Sequence, residues 1–337
     1  MLLPAALMSA SIPFVQDEPM ALHTTFRIGG PADLCVMPRS RREMIAALDA
    51  WRRYGAGCPL CVLGRGSNVL FSDKGLRGMV LLTAGVRDLS FPESLGSCPA
   101  PAGESSDAEE GLSESGETPC REESVLIDAD CGVSLTGLAA DCVKEGRSLS
   151  GLEFAYGIPG SLGGAVVMNA GAYGGEMSHV VAGSDCYDTG TGTVLHLLPG
   201  DHRFSYRHSV YLDQPDRILL GATLSLRKAP RAQIQADMER NLAARQEKQP
   251  LNLPSAGSVF KRPALPGLYV GRMVEDCGLK GFSVGGAAVS ERHGGFIVNA
   301  GGATAADVLA VIDRVRETVA REFHVTLECE VRLVGDK

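Results

Sequence analysis

The stretch that decides the fold is YGIPGSLGG at residues 156–164, followed closely by NAGAYGG at residues 169–175. These two glycine-rich turns, joined by the short apolar link 165–168, would bring two loops against one ligand. A dinucleotide needs such a site, because its diphosphate and sugars require close approach of backbone amides without intervening side chains. The alternative is that the glycines only allow strands to pack closely. Their number and clustering favour a dinucleotide site.

A second glycine cluster, GRGSN at residues 64–68, follows a predicted buried strand at residues 59–63. Its backbone N–H groups could face an anion, with help from the Ser67 hydroxyl and the Asn68 amide. Val69 occupies the third glycine position of a Rossmann fingerprint, and no Gly-Lys-Ser/Thr of a Walker A loop follows. The cluster alone therefore leaves a structural turn and a phosphate loop equally open.

The composition is that of a globular protein of 337 residues, enough for roughly two or three domains. Its 45% hydrophobic and 21% charged residues exclude an intrinsically disordered chain. The net charge of −8 argues against a broad nucleic-acid surface, which would need clustered positive charge. No run of about 18 apolar residues predicts a bilayer crossing. The 41 glycines are the outlier, and their clustering indicates loops that turn tightly or approach a ligand.

The N-terminus and the cysteines both favour a cytoplasmic protein. Residues 1–16 carry an apolar run but lack the basic region of a secretory signal, so we expect an N-terminal extension over 1–19, loose or forming a short helix. Ten scattered cysteines indicate reduced thiols. The C-x-x-C at residues 58–61 has no second pair, so core cysteines are favoured over a zinc or redox site, and no metal is predicted.

Hydrophobic periodicity predicts a mixture of helices and strands. The predicted helices are 39–54 with Ser40 as N-cap, 134–145, a helix carrying Ile234, Met238 and Leu242, and 304–323 with a capping box of Thr304 and Asp307. The predicted strands are 59–63, 80–82, 125–127 and an alternating strand at 327–333. Residues 91–124 are rich in Ser, Glu, Gly and Pro, which predicts a disordered insertion. The main domain boundary is predicted near residue 228.

Eight segments, in order along the chain, resemble the UDP-N-acetylenolpyruvoylglucosamine reductase (MurB) family, flavin enzymes of bacterial peptidoglycan precursor synthesis. The segments are HTTFRIGGPAD (23–33), LGRGSNVL (63–70), GIPGSLGG (157–164), FSYRHS (204–209), PSAGSVFKRP (254–263), GLKGF (278–282), GGA (285–287) and LECEVR (327–332). Arg262 after Phe260 and Lys261, together with the lack of a tyrosine-bearing substrate loop, resembles the shorter of the family's two subtypes. The 91–124 insertion is longer than the family usually has there.

The resemblance implies an α+β fold. A two-lobed FAD-binding domain of the vanillyl-alcohol-oxidase (PCMH) type would occupy residues 20–227, and an α/β C-terminal domain for the UDP-sugar substrate would occupy residues 228–337. It also implies non-covalent FAD, NADPH as co-substrate and UDP-N-acetylenolpyruvoylglucosamine as the molecule reduced. No nucleic acid, membrane insertion or obligate protein partner is expected.

The chemistry implied by the resemblance is hydride transfer to an enolpyruvyl ether. NADPH would reduce FAD, and the flavin N5 would deliver hydride to C3, giving an enolate that is protonated at C2. Ser258 would be the proton donor, while Arg207 and Glu330 would polarise the substrate carboxylate and stabilise the enolate. A serine hydroxyl is a poor acid, so this role needs a basic carbon held close by. Arg207 supplies fixed positive charge where negative charge develops.

The binding residues follow from the same motifs. The expected cofactor-binding residues are Gly64, Arg65, Gly66, Ser67, Asn68, Gly157, Ile158, Pro159, Gly160, Ser161, Gly163, Gly164, Asn169, Gly171 and Tyr173. A UDP-sugar needs local cations for its diphosphate. The expected substrate-binding residues are Tyr206, Arg207, Arg245, Lys261, Arg262 and Arg332.

Two other classes of protein fit less well. A dehydrogenase that uses nicotinamide alone needs a complete G-x-G-x-x-G unit, which the 64–68 cluster lacks at Val69. A non-catalytic nucleotide-binding protein could keep the glycines, but it has no need for Ser258, Arg207 and Glu330 together.

Overall fold

A computed structural model describes residues 2–92, 124–265 and 267–336. The predicted insertion at 91–124 therefore lies outside the described residues, except for its ends. The α-helices of this part are α1 (Leu2–Ser9), α2 (Arg41–Tyr54), α3 (Leu135–Cys142), α4 (Leu162–Val167), α5 (Val210–Asp213), α6 (Arg231–Lys248), α7 (Val270–Asp276) and α8 (Ala305–Phe323). No helix within these ranges has the length and apolar character that crossing a bilayer requires.

The strands are short and numerous. They are β1 (Phe14–Pro19), β2 (Pro31–Val36), β3 (Leu60–Leu63), β4 (Val69–Phe71), β5 (Leu76–Leu82), β6 (Leu89–Ser90), β7 (Ser124–Asp130), β8 (Leu149–Ser150), β9 (Gly171–Ala172), β10 (Gly175–Glu176), β11 (Val181–Asp188), β12 (Thr193–Leu197), β13 (Arg217–Lys228), β14 (Ser255–Ser258), β15 (Ser283–Val284), β16 (Ala287–Val289), β17 (Phe296–Asn299) and β18 (Arg332–Val334).

The helix predictions with clear caps are confirmed. The hydroxyl of Ser40 accepts the N–H of Glu43 at the start of α2, and Gly55 ends that helix. At α8, Thr304 and Asp307 cap each other reciprocally, which satisfies two of the backbone N–H groups that a helix start leaves unpaired. The predicted apolar stripe of α8 is buried. Local sequence signals were therefore sufficient for these two helices.

Two sheets form the larger part of the molecule. The first has the order β1-β2-β5-β3, with parallel pairs β2–β5 and β5–β3. The second is antiparallel, in the order β12-β11-β13-β7-β6, with β8 on the edge of β13. Helices α2, α3 and α4 contribute buried side chains to one continuous core that both sheets share. The two sheets are thus two lobes joined by a single hydrophobic core.

A third sheet, β14-β17-β16-β15, packs with α7 and α8 around a second core that begins at Ala256. Helix α6 belongs instead to the first core, through Ile234 and Met238. Phe26 and Ile28, from the N-terminal part, enter the second core. The boundary near residue 228 stays a prediction, because β13 ends there but the chain changes core only after α6.

The chain ends are more closely integrated than the sequence predicts. Within residues 2–19, α1 buries Leu3 and Leu7 in the first core, and β1 pairs with β2. At the other end, the alternating strand predicted at 327–333 is confirmed only in part. Only β18 is a strand, pairing in parallel with β4, and Leu333 is 57% exposed. Before β18, Leu327 and Val331 are buried and Glu328 is exposed, as the alternation predicts, and residue 329 forms an isolated bridge with Phe260. Leu333 is the residue that departs from the pattern.

The described thiols are all unpaired. Cys58 and Cys61 of the C-x-x-C are free, and burial raises the pKa of Cys61 to about 11. In the described ranges, no cluster of three or more His, Cys, Asp or Glu residues could hold a metal ion.

A buried hydrogen-bond chain stabilises the second sheet. His202 is fully buried; its Nδ1 lies 3.2 Å from the Pro199 carbonyl, and its Nε2 lies 2.7 Å from the Ser184 hydroxyl. The Tyr211 hydroxyl lies 2.6 Å from the same serine. With Nδ1 donating to Pro199, Nε2 of a neutral imidazole can accept the Ser184 hydroxyl, so the chain is satisfied by a neutral ring. Burial accordingly lowers the pKa of His202.

This arrangement predicts a specific acid sensitivity. As the pH falls below the ordinary histidine pKa of about 6.5, the unfolded chain binds a proton at His202 that the folded chain binds less readily. Stability is then lost by up to about 1.4 kcal/mol per pH unit through this residue. We expect His202→Gln to lose less free energy of unfolding between pH 7 and pH 5 in urea titrations than the wild type does. His196→Gln, whose ring is 57% exposed, is the control. An unchanged pH dependence in His202→Gln would contradict this assignment.

Candidate active site

A cavity of about 1200 Å³ opens between the two lobes and the third sheet. Its walls come from the loop at 64–68, the segment 158–172, the turn that carries Arg207, strand β14 and the chain around residue 330. Sites for drug-sized ligands are typically about 300–1000 Å³. The cavity is therefore large enough for a dinucleotide together with part of a second ligand.

The glycine segments form one wall because they touch each other. A β-carbon added at Gly64 would lie 2.2 Å from the Ser161 hydroxyl, and one at Gly160 would lie 3.5 Å from the Ser67 hydroxyl. Ser161 is itself fixed, since its hydroxyl accepts the N–H of Gly164 at the start of α4. The predicted apolar link at 165–168 is mostly this short helix. The two loops, distant in sequence, thus present a continuous backbone surface to the cavity.

Arg207 and Glu330 form a charged pair in this cavity. Arg207 Nε donates to Glu330 Oε1 at 2.7 Å, and Nη2 donates to the Gly171 carbonyl at 3.2 Å. The side chains are only 21% and 15% exposed, respectively. Arg207 lies at the tip of a tight turn closed by Ser205 and His208, with φ at +56°. A non-glycine residue with such backbone geometry is strained, and strain of this kind recurs at functional sites.

Glu330 is held by its backbone as well as by its side chain. Its N–H donates to the Val259 carbonyl at 2.8 Å, and its carbonyl accepts from the Asn68 amide at 3.2 Å. Burial raises the pKa of the Glu330 carboxyl, and the positive charge of Arg207 opposes that rise. Glu330 therefore faces the cavity in a fixed orientation, with Arg207 countering the cost of its burial.

Ser258 ends β14 on the same wall. Its hydroxyl donates to the Phe260 carbonyl at 3.3 Å, a long bond that leaves it available to a ligand. The His293 ring is nearby, since a β-carbon at Gly295 would lie 3.1 Å from His293 Cε1 and 3.4 Å from Ser258 Oγ. Burial lowers the pKa of His293, which favours a neutral ring. Its Nδ1 accepts the N–H of Gly295 at 3.0 Å.

Arg245 is the clearest unpaired cation of the cavity wall. The residue is 7% exposed, and its Nε has no hydrogen-bond partner among the described residues. Its Nη1 donates to Gln249 at 3.1 Å, and its guanidinium lies 5.8 Å from the centre of the Tyr173 ring. Burial lowers the pKa of the guanidinium. A buried arginine without an acidic partner indicates an anionic ligand, because such burial is otherwise unfavourable.

Aromatic side chains and further arginines form the outer part of the cavity. The Tyr206 hydroxyl accepts the N–H of Arg262 at 3.2 Å, and the Arg262 guanidinium lies 4.2 Å from the centre of the Tyr269 ring. Arg332 also lines the cavity, so Glu330 and Arg332 do face it together as predicted. Lys261 does not line it, and pairs at the surface with Glu328 at 3.4 Å.

Most of the predicted site residues meet in this cavity. Those that line it are Gly64, Arg65, Gly66, Ser67, Asn68, Ile158, Pro159, Gly160, Ser161, Gly163, Gly164, Gly171, Tyr206, Arg207, Arg245, Ser258, Arg262, Glu330 and Arg332. Gly157, Asn169, Tyr173 and Lys261 are not among the lining residues. Asn169 is fully buried, with its amide bonded to other protein groups.

The structure adds lining residues that sequence reasoning missed: Arg217, Tyr269, Arg272, Lys280, Arg292 and His293. Lys280 lies in the GLKGF segment (278–282), and the other five lie outside the eight segments quoted above. Within the described residues, nine Lys or Arg side chains and two Glu side chains line the cavity. The cavity is therefore positively charged in a chain whose net charge is −8.

Comparison with known proteins gives this cavity a context. Residues 249–334 match the C-terminal domain of UDP-N-acetylenolpyruvoylglucosamine reductase, and residues 32–198 match an FAD-binding domain. The chain is similar to proteins named UDP-N-acetylenolpyruvoylglucosamine reductase from Caldanaerobacter subterraneus and Agathobacter rectalis. The first is 41% identical over 95% of this chain and 93% of the relative, and the second is 42% identical over 96% and 94%.

The fold is similar to a crystal structure of UDP-N-acetylenolpyruvylglucosamine reductase from Thermus caldophilus. The TM-score is 0.69 at 30% identity, and the alignment covers 96% of this chain and 98% of the other. The predicted α+β fold, with an FAD-binding domain of the PCMH type and a distinct C-terminal domain, is confirmed.

The close packing of the 64–68 loop against the chain at His23 can be tested at Gly66. Gly66 has φ +60°, and a methyl group there would lie 2.2 Å from the His23 carbonyl oxygen. We expect Gly66→Ala to lower the free energy of unfolding by about 3 kcal/mol or more, from backbone strain plus steric overlap. Gly57→Ala is the matched control, because Gly57 has φ +77° with no atom within 4 Å. It should lose only about 1–2 kcal/mol. Equal losses in urea titrations would contradict the packing argument.

Proposed function

The chain belongs to the UDP-N-acetylenolpyruvoylglucosamine reductase (MurB) family of FAD-dependent oxidoreductases, and on that premise we propose how its residues reduce UDP-N-acetylenolpyruvoylglucosamine to UDP-N-acetylmuramate with NADPH as reductant. The product serves peptidoglycan precursor synthesis. One observation carries the proposal: Arg207, Glu330 and Ser258 line a single cavity, with Arg207 and Glu330 paired at 2.7 Å.

The residues present fit FAD. The contacting loops at 64–68 and 157–164 offer backbone amides to a diphosphate, and their glycines leave no side chain between backbone and ligand. The cationic wall suits the negative charges of FAD and of a UDP-sugar. Cys61 and Cys131 also line the cavity, but burial raises the pKa of Cys61 to about 11 and that of Cys131 to about 12. Thiols held protonated are poor nucleophiles, which supports non-covalent binding.

In this proposal, Arg207, Glu330 and Ser258 each have a separate role in the reaction. Held by the loops at 64–68 and 157–164, FAD would supply the hydride transfer from NADPH to C3 of the enolpyruvyl group. Arg207 binds the substrate carboxylate and stabilises the negative charge that develops there. Glu330 orients Arg207 through the 2.7 Å bond and keeps the guanidinium in one position. Ser258 then donates the proton of its hydroxyl to C2, and solvent replaces that proton.

Arg245 binds the substrate diphosphate in this proposal. Its unpartnered Nε and its place on the cavity wall support that role, and Arg262 and Arg332 supply further charge nearer the opening. Tyr206 holds the backbone of Arg262 and packs its ring 5.0 Å from the Arg207 guanidinium, so it shapes the pocket between the two. Lys261 supports this rim through Glu328 at the surface.

The overall activity is tested by the colour of the protein. Purified protein should be yellow, NADPH should bleach it, and UDP-N-acetylenolpyruvoylglucosamine should restore the colour without oxygen. A colourless protein that takes up no added FAD would overturn the proposal.

Ser258→Ala tests the proton donor. Flavin reduction by NADPH should stay within about threefold of wild type, while reoxidation by substrate should slow by about 10²–10⁴-fold, the usual contribution of a general acid. Stopped-flow absorbance measures the two half-reactions separately. Ser283→Ala, at an exposed position of the same domain, should change neither rate. Normal reoxidation in Ser258→Ala would rule out Ser258 as the donor.

Arg245→Met tests the diphosphate contact. The KM for the UDP-sugar should rise about tenfold or more, because one charge-assisted hydrogen bond is worth about 1.5–3 kcal/mol. The free energy of unfolding without substrate should not fall, because a buried guanidinium without an acidic partner is removed. Arg240→Met on the same helix, at a 70% exposed side chain, is the control. An unchanged KM would place the diphosphate elsewhere.

A further inference from the structure

Asn169 lies in a glycine-rich motif, which led to its expected role as a cofactor ligand, but its side chain is fully engaged within the protein. It is 0% exposed and lies two residues beyond the end of α4, with φ at +42°. Its Oδ1 accepts the N–H of Ser178 at 2.9 Å, and its Nδ2 donates to Glu176 Oε1 and to the Ser205 carbonyl, both at 3.0 Å. Both amide protons are used, so none remains for a ligand.

The bond from Asn169 to the Ser205 carbonyl connects Asn169 to the active site, because Ser205 closes the tight turn whose tip is Arg207. Residues 167–171, around Asn169, accept two further hydrogen bonds from this turn. The Ser209 hydroxyl donates to the Val167 carbonyl at 2.7 Å, and Arg207 Nη2 donates to the Gly171 carbonyl at 3.2 Å. The end of α4 and the residues after it therefore hold the turn before, at and after Arg207.

Glu176 completes the arrangement electrostatically. Its carboxylate accepts from Asn169 and from the Ser178 hydroxyl. Burial alone would raise the pKa of Glu176, but these hydrogen bonds and the charges of His179 and Arg207 bring it below the usual value. An ionised carboxylate orients the Asn169 amide, because it can accept from Nδ2 but cannot donate to Oδ1. The orientation of the amide, and hence its bond to Ser205, is fixed.

We propose that Asn169 is a positioning residue for Arg207: oriented by Glu176, its amide fixes the 205–208 turn so that the guanidinium reaches Glu330 and the substrate carboxylate. This inference rests on the proposed function, since it assumes that Arg207 binds that carboxylate. The strained backbone of Arg207 makes such support necessary, because a turn held in a disfavoured conformation relaxes when its contacts are removed.

Asn169→Asp is the sharpest variant. Aspartate keeps the shape and tolerates positive φ, but it has no N–H to donate to Ser205. Reoxidation of the flavin by substrate should slow by about 10–100-fold, the cost of a small misplacement at a reacting centre. Flavin content and reduction by NADPH should stay within about threefold of wild type. Asn241→Asp is the matched control, because Asn241 likewise donates its amide to a carbonyl, that of Glu153, on another face of the fold.

The outcomes separate the alternatives. Loss of flavin, or equal slowing of both half-reactions, would indicate that Asn169 acts in cofactor binding and would overturn the proposal. Unchanged kinetics would overturn it as well. If Asn169→Asp does not fold, Glu176→Gln keeps the volume and removes only the charge. It should show the same selective slowing to a smaller degree, and two unchanged half-reactions in it would overturn the proposal.

Two further measurements distinguish this inference from the proposed function. Arg207→Lys keeps the charge but loses the fork geometry, so normal reoxidation in that variant would refute the role of Arg207 itself. A crystal structure of Asn169→Asp would show the position of the Arg207 side chain directly, without any measurement of turnover. We expect the 205–208 turn to shift and the Arg207–Glu330 bond to lengthen, and an unmoved Arg207 would overturn the inference whatever the kinetics.

Discussion

The ion pair between Arg207 and Glu330 is the interaction on which the rest of the site depends, because it joins three parts of the chain at a partly buried position. Glu330 is bonded through its backbone to Val259, next to Ser258, and to Asn68 in the N-terminal glycine loop. Arg207 comes from the middle of the chain. Without either partner, the other charge would be left uncompensated in a poorly solvated place, which typically costs about 3–5 kcal/mol. The pair therefore ties the turn that carries Arg207 to the chain around residues 259 and 330 and to the 64–68 loop.

The second constraint is electrostatic: the cavity wall is positively charged, although the net charge of the chain is negative. A net charge of −8 excludes a general affinity for polyanions, yet the cavity wall carries nine cations and two carboxylates in the described residues. Charge of one sign concentrated in a cleft attracts oppositely charged ligands far more than the total charge predicts. Arg245 is buried with no partner at its Nε among the described residues, which is unfavourable in the protein alone and supports our proposal that this wall binds an anionic ligand.

The sequence predicted the features that depend on neighbouring residues, and it did not predict those that depend on contacts between residues far apart along the chain. The caps of α2 and α8 are set by residues within three or four positions, so they could be predicted. The predicted C-terminal strand forms only in part: the backbone of Glu330 bonds to Val259 and to the side chain of Asn68, 262 residues away, and the local pattern does not reveal these contacts. The missed cations, such as Arg217 and Arg292, lie in no motif and reach the cavity only through the fold. The motifs located the site, while its charge required the structure.

The glycines of the site support the structural interpretations that the sequence left open, a turn at 64–68 and close packing at 156–175. At Gly64 and Gly66, an added β-carbon would meet Ser161 or His23 rather than empty cavity. At Gly163 it would meet Cys131, at 2.8 Å. These glycines are therefore required for close packing of one protein segment on another, as the alternative interpretation held. That packing is also what produces the ligand surface, because loops pressed together at their α-carbons leave their backbone amides as the cavity wall. Close packing of these residues thus supports, rather than opposes, the dinucleotide binding that we propose for them.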